Sequence, residues 1–237
     1  MAQYDMTPEA TFRTPYAAEE RVTAFLRSVY GWMFAGLGIT AIVAYMVAQS
    51  PALMIAIASN PFSRWGLLLA QLGLVIFLSA RVEKIAPGTA ALLFIVYSAL
   101  TGVTFSFILL AYTRESIATT FLVCAGMFGA LAVYGTTTSR SLAGWGQFLF
   151  MGLIGVVLAS IVGIFWQNDA FQFVLSFIGV IVFTGLTAYD AQRLKGMALS
   201  TPAGQLGSYA IVGALALYLD FINLFLMLLR LLGSRRD

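Results

Sequence analysis

The chain has 237 residues, of which 60% are hydrophobic and only 10% are charged, and its formal net charge at pH 7 is +3. Soluble domains carry roughly 25% charged residues, so this composition excludes an ordinary soluble protein and indicates an integral membrane protein. A small basic excess is typical of residues that flank membrane spans, and it does not favour nucleic-acid binding.

The absence of histidine and the presence of a single cysteine exclude several kinds of site. Without histidine there is no common zinc ligand, no serine–histidine relay and no ordinary physiological pH switch. Cys124 lies in an apolar stretch and has no partner for an internal disulfide. No serine-nucleophile motif, phosphate loop or metal-binding cysteine cluster occurs. The chain is therefore predicted not to be an enzyme and to hold no cofactor, and any proton chemistry depends on carboxylates.

Seven apolar segments follow a polar start. Residues 1–24 are predicted to form a cytoplasmic tail, which lacks the basic start and apolar core of a cleavable signal peptide. Each later segment has about 20 residues, enough to cross a hydrocarbon layer of ~30 Å. The sequence thus predicts an all-α polytopic membrane protein, with its transmembrane domain in residues 25–232 and a short basic tail at residues 233–237. The spans are residues 27–49, 63–82, 88–112, 115–135, 144–166, 171–194 and 208–232.

The basic residues of the connections predict the orientation. With the N-terminus in the cytoplasm, only Arg64 and Arg114 fall in outer loops, as the positive-inside rule favours. An odd number of spans then places the C-terminal arginines outside, which the same rule disfavours, so the side of the C-terminus stays open. The inner side would hold Arg13, Arg21, Arg27, Arg81, Lys84, Arg140, Arg193 and Lys195.

Asp220 lies about ten residues from either end of the last segment. A carboxylate at that depth costs ~2.5–3.5 kcal/mol, so it is expected to face a partner, a cavity or a proton. Its helical neighbours form a stripe that is smaller or more polar than the face bearing Leu217, Phe221 and Leu228, and this stripe is expected to face the bundle interior. The stripe consists of Gly213, Ala216, Asn223 and Met227.

Asp190 lies near the cytoplasmic end of the sixth segment and has two interpretations. It is either an interfacial cap paired with nearby bases, among them Arg193 and Lys195, or a partner of Asp220. The predicted depths of the two acids differ by roughly 6–10 Å, which helix tilt or a last helix that begins below the membrane surface would close. If they meet, they would share one proton, because two ionised carboxylates repel in a poor dielectric.

Two stretches together resemble the paired signature of the Bax inhibitor-1 family, the transmembrane BAX inhibitor motif proteins. They are residues 184–195, TGLTAYDAQRLK, and residues 216–225, ALYLDFINLF. The likeness extends from about Arg27 to Leu232 and favours a bacterial member in the inner membrane. It implies a seven-helix fold in which the last helix is central in the bundle, and a pH-sensitive calcium leak channel as the activity.

The resemblance also assigns roles to residues. The di-aspartyl pH sensor of the family falls on Asp190 and Asp220, which would hold a shared proton while the pore is shut. The arginine partner of the family falls on Arg81, which would bind or release one carboxylate as the state changes. From position alone, an arginine such as Arg81 is more often only an anchor at the end of its span. Its neighbours Val82 and Glu83 depart from the more basic run of some relatives.

Calcium, as the permeant ion, would meet the two aspartates on its path. Together with Asn223 they fall short of the six to eight oxygen ligands that calcium prefers, so a weak transient site is expected rather than a storage site. Thr187 and Tyr189 are candidates for supporting positions along the same path.

Two other functions remain open at this stage. Intramembrane aspartyl proteases also use two aspartates on late helices, but their second acid sits in a Gly-x-Gly-Asp setting, whereas Asp220 follows Leu217-Tyr-Leu. Their Pro-Ala-Leu element follows the second acid, whereas Pro51 begins such an element in the first loop. The third candidate is a non-catalytic regulator of a membrane protease or of a stress or cell-death pathway, with a membrane protein as its partner.

Overall fold

A computed structural model describes residues 15–166 and 168–236, and the regular elements in these ranges are helices joined by short connections. Four of these helices begin at a proline, which fits the first turn because its missing amide hydrogen needs no partner there. The elements are α1 (Pro15–Ala48), α2 (Pro51–Ser59), α3 (Pro61–Arg81), α4 (Pro87–Ala111), α5 (Arg114–Thr137), α6 (Ala143–Phe165), α7 (Asp169–Ser200) and α8 (Leu206–Leu232), with a 3-10 turn at Ala203–Gln205 before α8.

Seven of these helices are long and apolar enough to cross a membrane, which confirms the predicted number of spans. The exception is α2, whose 9 residues extend only about 14 Å and cannot span the bilayer. It lies in the predicted connection between the first two spans. Its Met54 is buried and accepts a hydrogen bond at its sulfur from the Ser106 hydroxyl of α4.

The first helix begins earlier than the hydropathy indicates. Residues 15–24 of the predicted polar tail form the first turns of α1, while residues 1–14 lie outside the described part of the chain. The Arg21 guanidinium donates to the backbone oxygens of Ala198 (2.6 Å) and Thr201 at the end of α7. Carbonyl groups at the end of a helix lack partners within that helix. Arg21 therefore satisfies them and attaches the start of α1 to α7.

The last helix is the centre of the bundle. In its most apolar stretch 72% of the residues are buried, against 39% or less in the other six spans, and it packs against α1, α4, α5 and α7. This confirms the central last helix. It also corrects the expectation that one stripe of α8 faces inward, because Leu217 and Phe221 on the other face are buried as well.

The start of α1 and the end of α8 lie at opposite ends of the bundle. We call the end where α1 begins the N-terminal face, and the end where α8 finishes the C-terminal face. At the C-terminal face the final residues pair with the connection between α4 and α5. The Thr113 amide donates to the Ser234 carbonyl (3.1 Å), and the Arg236 amide donates to the Ala111 carbonyl (3.0 Å). The predicted basic tail is thus attached to the bundle through Arg236.

Candidate functional site

The register of the α7–α8 hairpin determines what Asp220 faces. Towards the N-terminal face, Gly213 of α8 packs against the Leu194 side chain of α7. Deeper in the bundle, Met227 packs against Gly179 in the same antiparallel order. Positions seven residues apart lie on nearly the same side of a helix, so Asp220, midway between Gly213 and Met227, also faces α7.

The carboxyl groups of Asp190 and Asp220 are close enough to hydrogen-bond to each other. Asp220 is only 5% exposed, and the side chain of Asp190 is 15% exposed. Such a bond requires one proton on the pair, because an ionised carboxylate can only accept. Among the residues that the structure describes, the Oδ2 atom of Asp220 finds no hydrogen-bond partner. The structure thus brings together the two acids that the sequence singled out.

The length of α7 explains why Asp190 and Asp220 lie at similar depths in the bundle. The predicted sixth span ends at residue 194, whereas α7 continues to Ser200. Asp190 therefore lies ten residues, about 15 Å, before the end of its helix. Counted from the contacts of Gly213 with Leu194 and of Met227 with Gly179, the two acids are offset by three to four residues, about 4.5–6 Å along the helix axes. Two side chains can bridge this offset, which lies at or below the lower end of the predicted range.

Arg193, one turn beyond Asp190, is the cation nearest to the pair. Its Nη1 lies 3.8 Å from Oδ1 of Asp190, and its side chain is 60% exposed. The local pairing that the sequence allowed therefore exists alongside the contact with Asp220. Arg81, at the end of α3, is exposed and forms no ion pair with either acid within the described ranges. The structure does not bring Arg81 to the pair in this state.

The three supporting candidates make contacts within or beside their own helices. The Thr187 hydroxyl donates to the Phe183 carbonyl (2.8 Å) of α7. The Tyr189 ring points towards α6, where it packs against Gly146. The Asn223 amide donates to the Leu219 carbonyl (2.8 Å), which leaves its oxygen one turn beyond Asp220 on α8.

Two side chains after Asp190 hold this part of α7 against its neighbours. The Gln192 side chain accepts from the Leu142 amide (2.7 Å) and donates to the Arg140 carbonyl (2.9 Å), both in the connection before α6. The Lys195 ammonium donates to the Thr136 carbonyl (2.9 Å) near the end of α5. In sequence these residues read only as polar neighbours of Asp190. Their backbone partners are more than 45 residues away in the chain, so spacing alone could not reveal them.

A second polar contact holds α8 on its other side. The Tyr218 hydroxyl lies 2.6 Å from the Thr40 hydroxyl of α1, and Thr40 also donates towards the Ser98 carbonyl (2.9 Å) of α4. Tyr218 is completely buried and comes two residues before Asp220. On the α5 side, the Cys124 thiol lies 3.7 Å from the Phe221 carbonyl. Sequence analysis missed Tyr218, although a tyrosine in the middle of a span is itself a signal of a buried partner.

Comparison with known proteins assigns the chain to a family. The family model described as "Inhibitor of apoptosis-promoting Bax1" matches residues 22–237. The chain belongs to the Bax inhibitor-1 family. The resemblance seen in its last two spans is thereby confirmed over nearly the whole chain.

Bacterial members of the Bax inhibitor-1 family align with almost the full length of this chain. The inner membrane protein YbhL of Escherichia coli strain K12 is 53% identical over 215 residues, covering 90% of this chain and 92% of that protein. A protein of Borreliella burgdorferi is 45% identical over 215 residues, covering 90% and 93%. A protein of Deinococcus radiodurans is 42% identical over 238 residues, covering 100% and 98%.

The chemistry that the carboxyl pair of this Bax inhibitor-1 family member offers is the binding and release of a proton. Within the described residues, no three side chains of the histidine, cysteine, aspartate or glutamate types cluster as a metal site. Asp190, Asp220 and the Asn223 oxygen offer fewer ligands than calcium needs for tight binding. The arrangement is suited to holding and exchanging a proton.

Proposed function

We propose that the chain is a pH-sensitive calcium leak channel whose gate is the proton-sharing pair of Asp190 and Asp220. The observation that carries this proposal is the buried carboxyl contact between α7 and the central helix α8. A carboxyl pair at membrane depth is costly, and such residues mark ion and proton pathways. The contact also joins the helix that packs against four other spans to the helix that precedes it.

With one proton on the pair, the hydrogen bond acts as a latch. A hydrogen bond between a carboxylic acid and a carboxylate is short and about twice as strong as a neutral one. Because Gln192 and Lys195 fix this part of α7 to its neighbours, the latch holds α8 relative to the outer helices. The central helix then stays in place and the path along it is closed.

Loss of the shared proton opens the latch. Two unit charges about 4 Å apart repel by about 4 kcal/mol at an effective dielectric constant of about 20. That energy shifts a two-state equilibrium by roughly 1000-fold, since about 1.4 kcal/mol corresponds to a factor of ten. The separated carboxylates then face the path and offer oxygen atoms to a passing calcium ion. Flux is therefore expected to rise with pH.

Arg81 is proposed as the partner of a carboxylate in the open state. Its helix, α3, ends at the N-terminal face, and it is the least buried span, with 6% of its most apolar stretch inside the bundle. A displacement of α3 therefore breaks few contacts. Arg193 stays with Asp190 on the same helix in both states, so Asp220 is the acid that needs a new counter-charge.

We infer the membrane from a relative of the chain, and the orientation from the distribution of basic residues. YbhL of E. coli is named an inner membrane protein, and we extend that location to this chain. The N-terminal face is proposed to be cytoplasmic, because it carries Arg27, Arg81 and Lys84 beside the arginines of α7 and its neighbours.

A second candidate function is a non-catalytic regulator that acts on another membrane protein. It is favoured by the description of the matched family model, which names inhibition rather than transport. The two candidates differ in what the purified chain does alone, since a channel conducts without a partner and a regulator does not.

Calcium release from liposomes that contain only the purified chain tests the proposal. Flux is measured from about pH 5 to about pH 8, the range over which the proton occupancy of such a pair is expected to change. Wild-type protein should show flux that increases with pH, and D190N and D220N should lose that dependence. The matched control is D169N, an acid at the exposed start of α7. If both amide variants kept the wild-type flux and pH profile, the gate would be elsewhere. Wild-type liposomes without flux at any pH would favour the regulator.

A further inference from the structure

A groove runs into the bundle from the C-terminal face between α1, α4 and α5. Its inner part is a chamber of about 270 Å³ whose floor is α8. An outer hollow of about 640 Å³ shares four lining residues with the chamber, so the two form one continuous groove. The shared residues are Tyr45, Leu109, Ile117 and Phe121.

The inner end of the groove is apolar. Side chains such as Leu37, Ala41 and Phe225 line the chamber, and Thr40 is a polar exception whose hydroxyl is already bonded to Tyr218. The other hydroxyl in the chamber wall belongs to Tyr45, which also lines the outer hollow and so lies towards the mouth of the groove. An occupant of this part of the groove is therefore hydrocarbon.

The outer end of the groove is cationic. Arg114, at the start of α5, and Arg236, in the C-terminal tail, both line it, together with Gln49. The Arg236 backbone is held by its bond to the Ala111 carbonyl, so its side chain is presented from a fixed point. Within the described residues neither guanidinium forms an ion pair. Guanidinium groups bind phosphate with paired hydrogen bonds.

The length of the groove matches one leaflet. From Gln49, just past the end of α1, to Leu37 it extends twelve residues, about 18 Å along the helix axis. Half of a hydrocarbon layer of ~30 Å is about 15 Å, the depth to which one acyl chain reaches. The arginines then lie at the level of the lipid headgroups.

We propose that this groove binds an anionic phospholipid, with one acyl chain in the chamber and the phosphate between Arg114 and Arg236. The end of the acyl chain lies beside Phe221 and Ile222, which directly follow Asp220 on α8. Binding at this site does not depend on ion conduction and goes beyond the proposed channel activity.

Native mass spectrometry of the full-length protein tests the site with phosphatidylglycerol and phosphatidylcholine. Each arginine near a phosphate strengthens binding by about five-fold, so R114Q/R236Q should lose roughly 25-fold in affinity for phosphatidylglycerol and far less for phosphatidylcholine. A41W places an indole in the chamber from an exposed position on α1 and should lower phosphatidylglycerol binding while both arginines remain.

The matched control is R230Q/R235Q, which removes the same charge from the same face but outside the groove. Retention of phosphatidylglycerol by this control, with losses in the two groove variants, supports the site. Equal loss in the control would show only a general attraction to the basic face and overturn the proposal. Unchanged phosphatidylglycerol binding in A41W or in R114Q/R236Q would also overturn it. So would a wild-type dimer that A41W dissociates, because the groove would then be an interface between two copies of the chain. Circular dichroism of each variant confirms the helical fold.

Discussion

The hydroxyl groups of Tyr218 and Thr40 lie 2.6 Å apart in the centre of the bundle, two residues from the acid on the opposite side of α8. Tyr218 attaches the central helix to α1, and Asp220 attaches it to α7. The first contact is independent of the proton on the acid pair, whereas the second depends on it. In the proposed mechanism, loss of that proton would therefore release α8 on the α7 side only.

The carboxyl pair predicts different behaviour for amide and alanine variants. In D190N the amide donates to the ionised carboxylate of Asp220 without a shared proton, so calcium flux should be low at every pH. In D190A no donor remains, and flux should be high at every pH. A hydrogen bond to a charged group contributes about 1.5–3 kcal/mol, which corresponds to roughly a ten- to hundred-fold difference in flux between the two variants. Liposome flux assays measure this ratio, and equal flux would contradict the latch.

A side chain at position 135 is expected to destabilise the contact between α5 and α7. A Cβ at this position would overlap the backbone carbonyl of Ala188, which cannot move aside as a side chain can. G135A is expected to destabilise the protein by about 1–3 kcal/mol. In G126A, on the same helix, the added methyl meets no atom within 4 Å, so stability should be unchanged or rise by up to about 1 kcal/mol. Chemical unfolding in mixed micelles compares the two, and an equal response would argue against this close approach.

Removal of the Tyr218 hydroxyl is expected to cause a modest loss of stability. Y218F breaks the bond to Thr40, but Thr40 keeps the Gly36 and Ser98 carbonyls as partners, so no donor is left unpaired. The expected cost is about 0.5–1.5 kcal/mol. The control Y134F removes a hydroxyl from an exposed tyrosine and should change nothing measurable. Because this contact does not involve the acids, the pH dependence of calcium flux should persist in Y218F.

The hydrogen bonds of Arg21 to the end of α7 are expected to contribute to the stability of the protein. R21Q removes the charged donor from the Ala198 and Thr201 carbonyls and should cost roughly 1.5–3 kcal/mol. R27Q, two turns further along α1 and exposed, makes the same change of charge and should have little effect. Proteolysis at the N-terminal face, followed with time, would show faster cleavage of R21Q. If both variants resisted cleavage equally, α1 would be held to α7 by other contacts.

The spans could be predicted because each is a long apolar run, and length with hydropathy is enough to identify them. The start of α1 and the last turns of α7 could not, because these turns are polar and are held by Arg21, Gln192 and Lys195 through distant backbone groups. The two acids were recognised from their depth and motif. Their contact could not be deduced, because it depends on the register between Gly213 and Leu194.

The central position of α8 has a consequence for how the protein is made. The helix that fills the middle leaves the ribosome after the six spans that surround it, and chains generally fold from the N-terminus during synthesis. Those six spans are therefore made before the helix around which they pack, and Asp190 is made before its acid partner. The insertion of α8 then completes the packing of the bundle and the contact between the two acids in a single step.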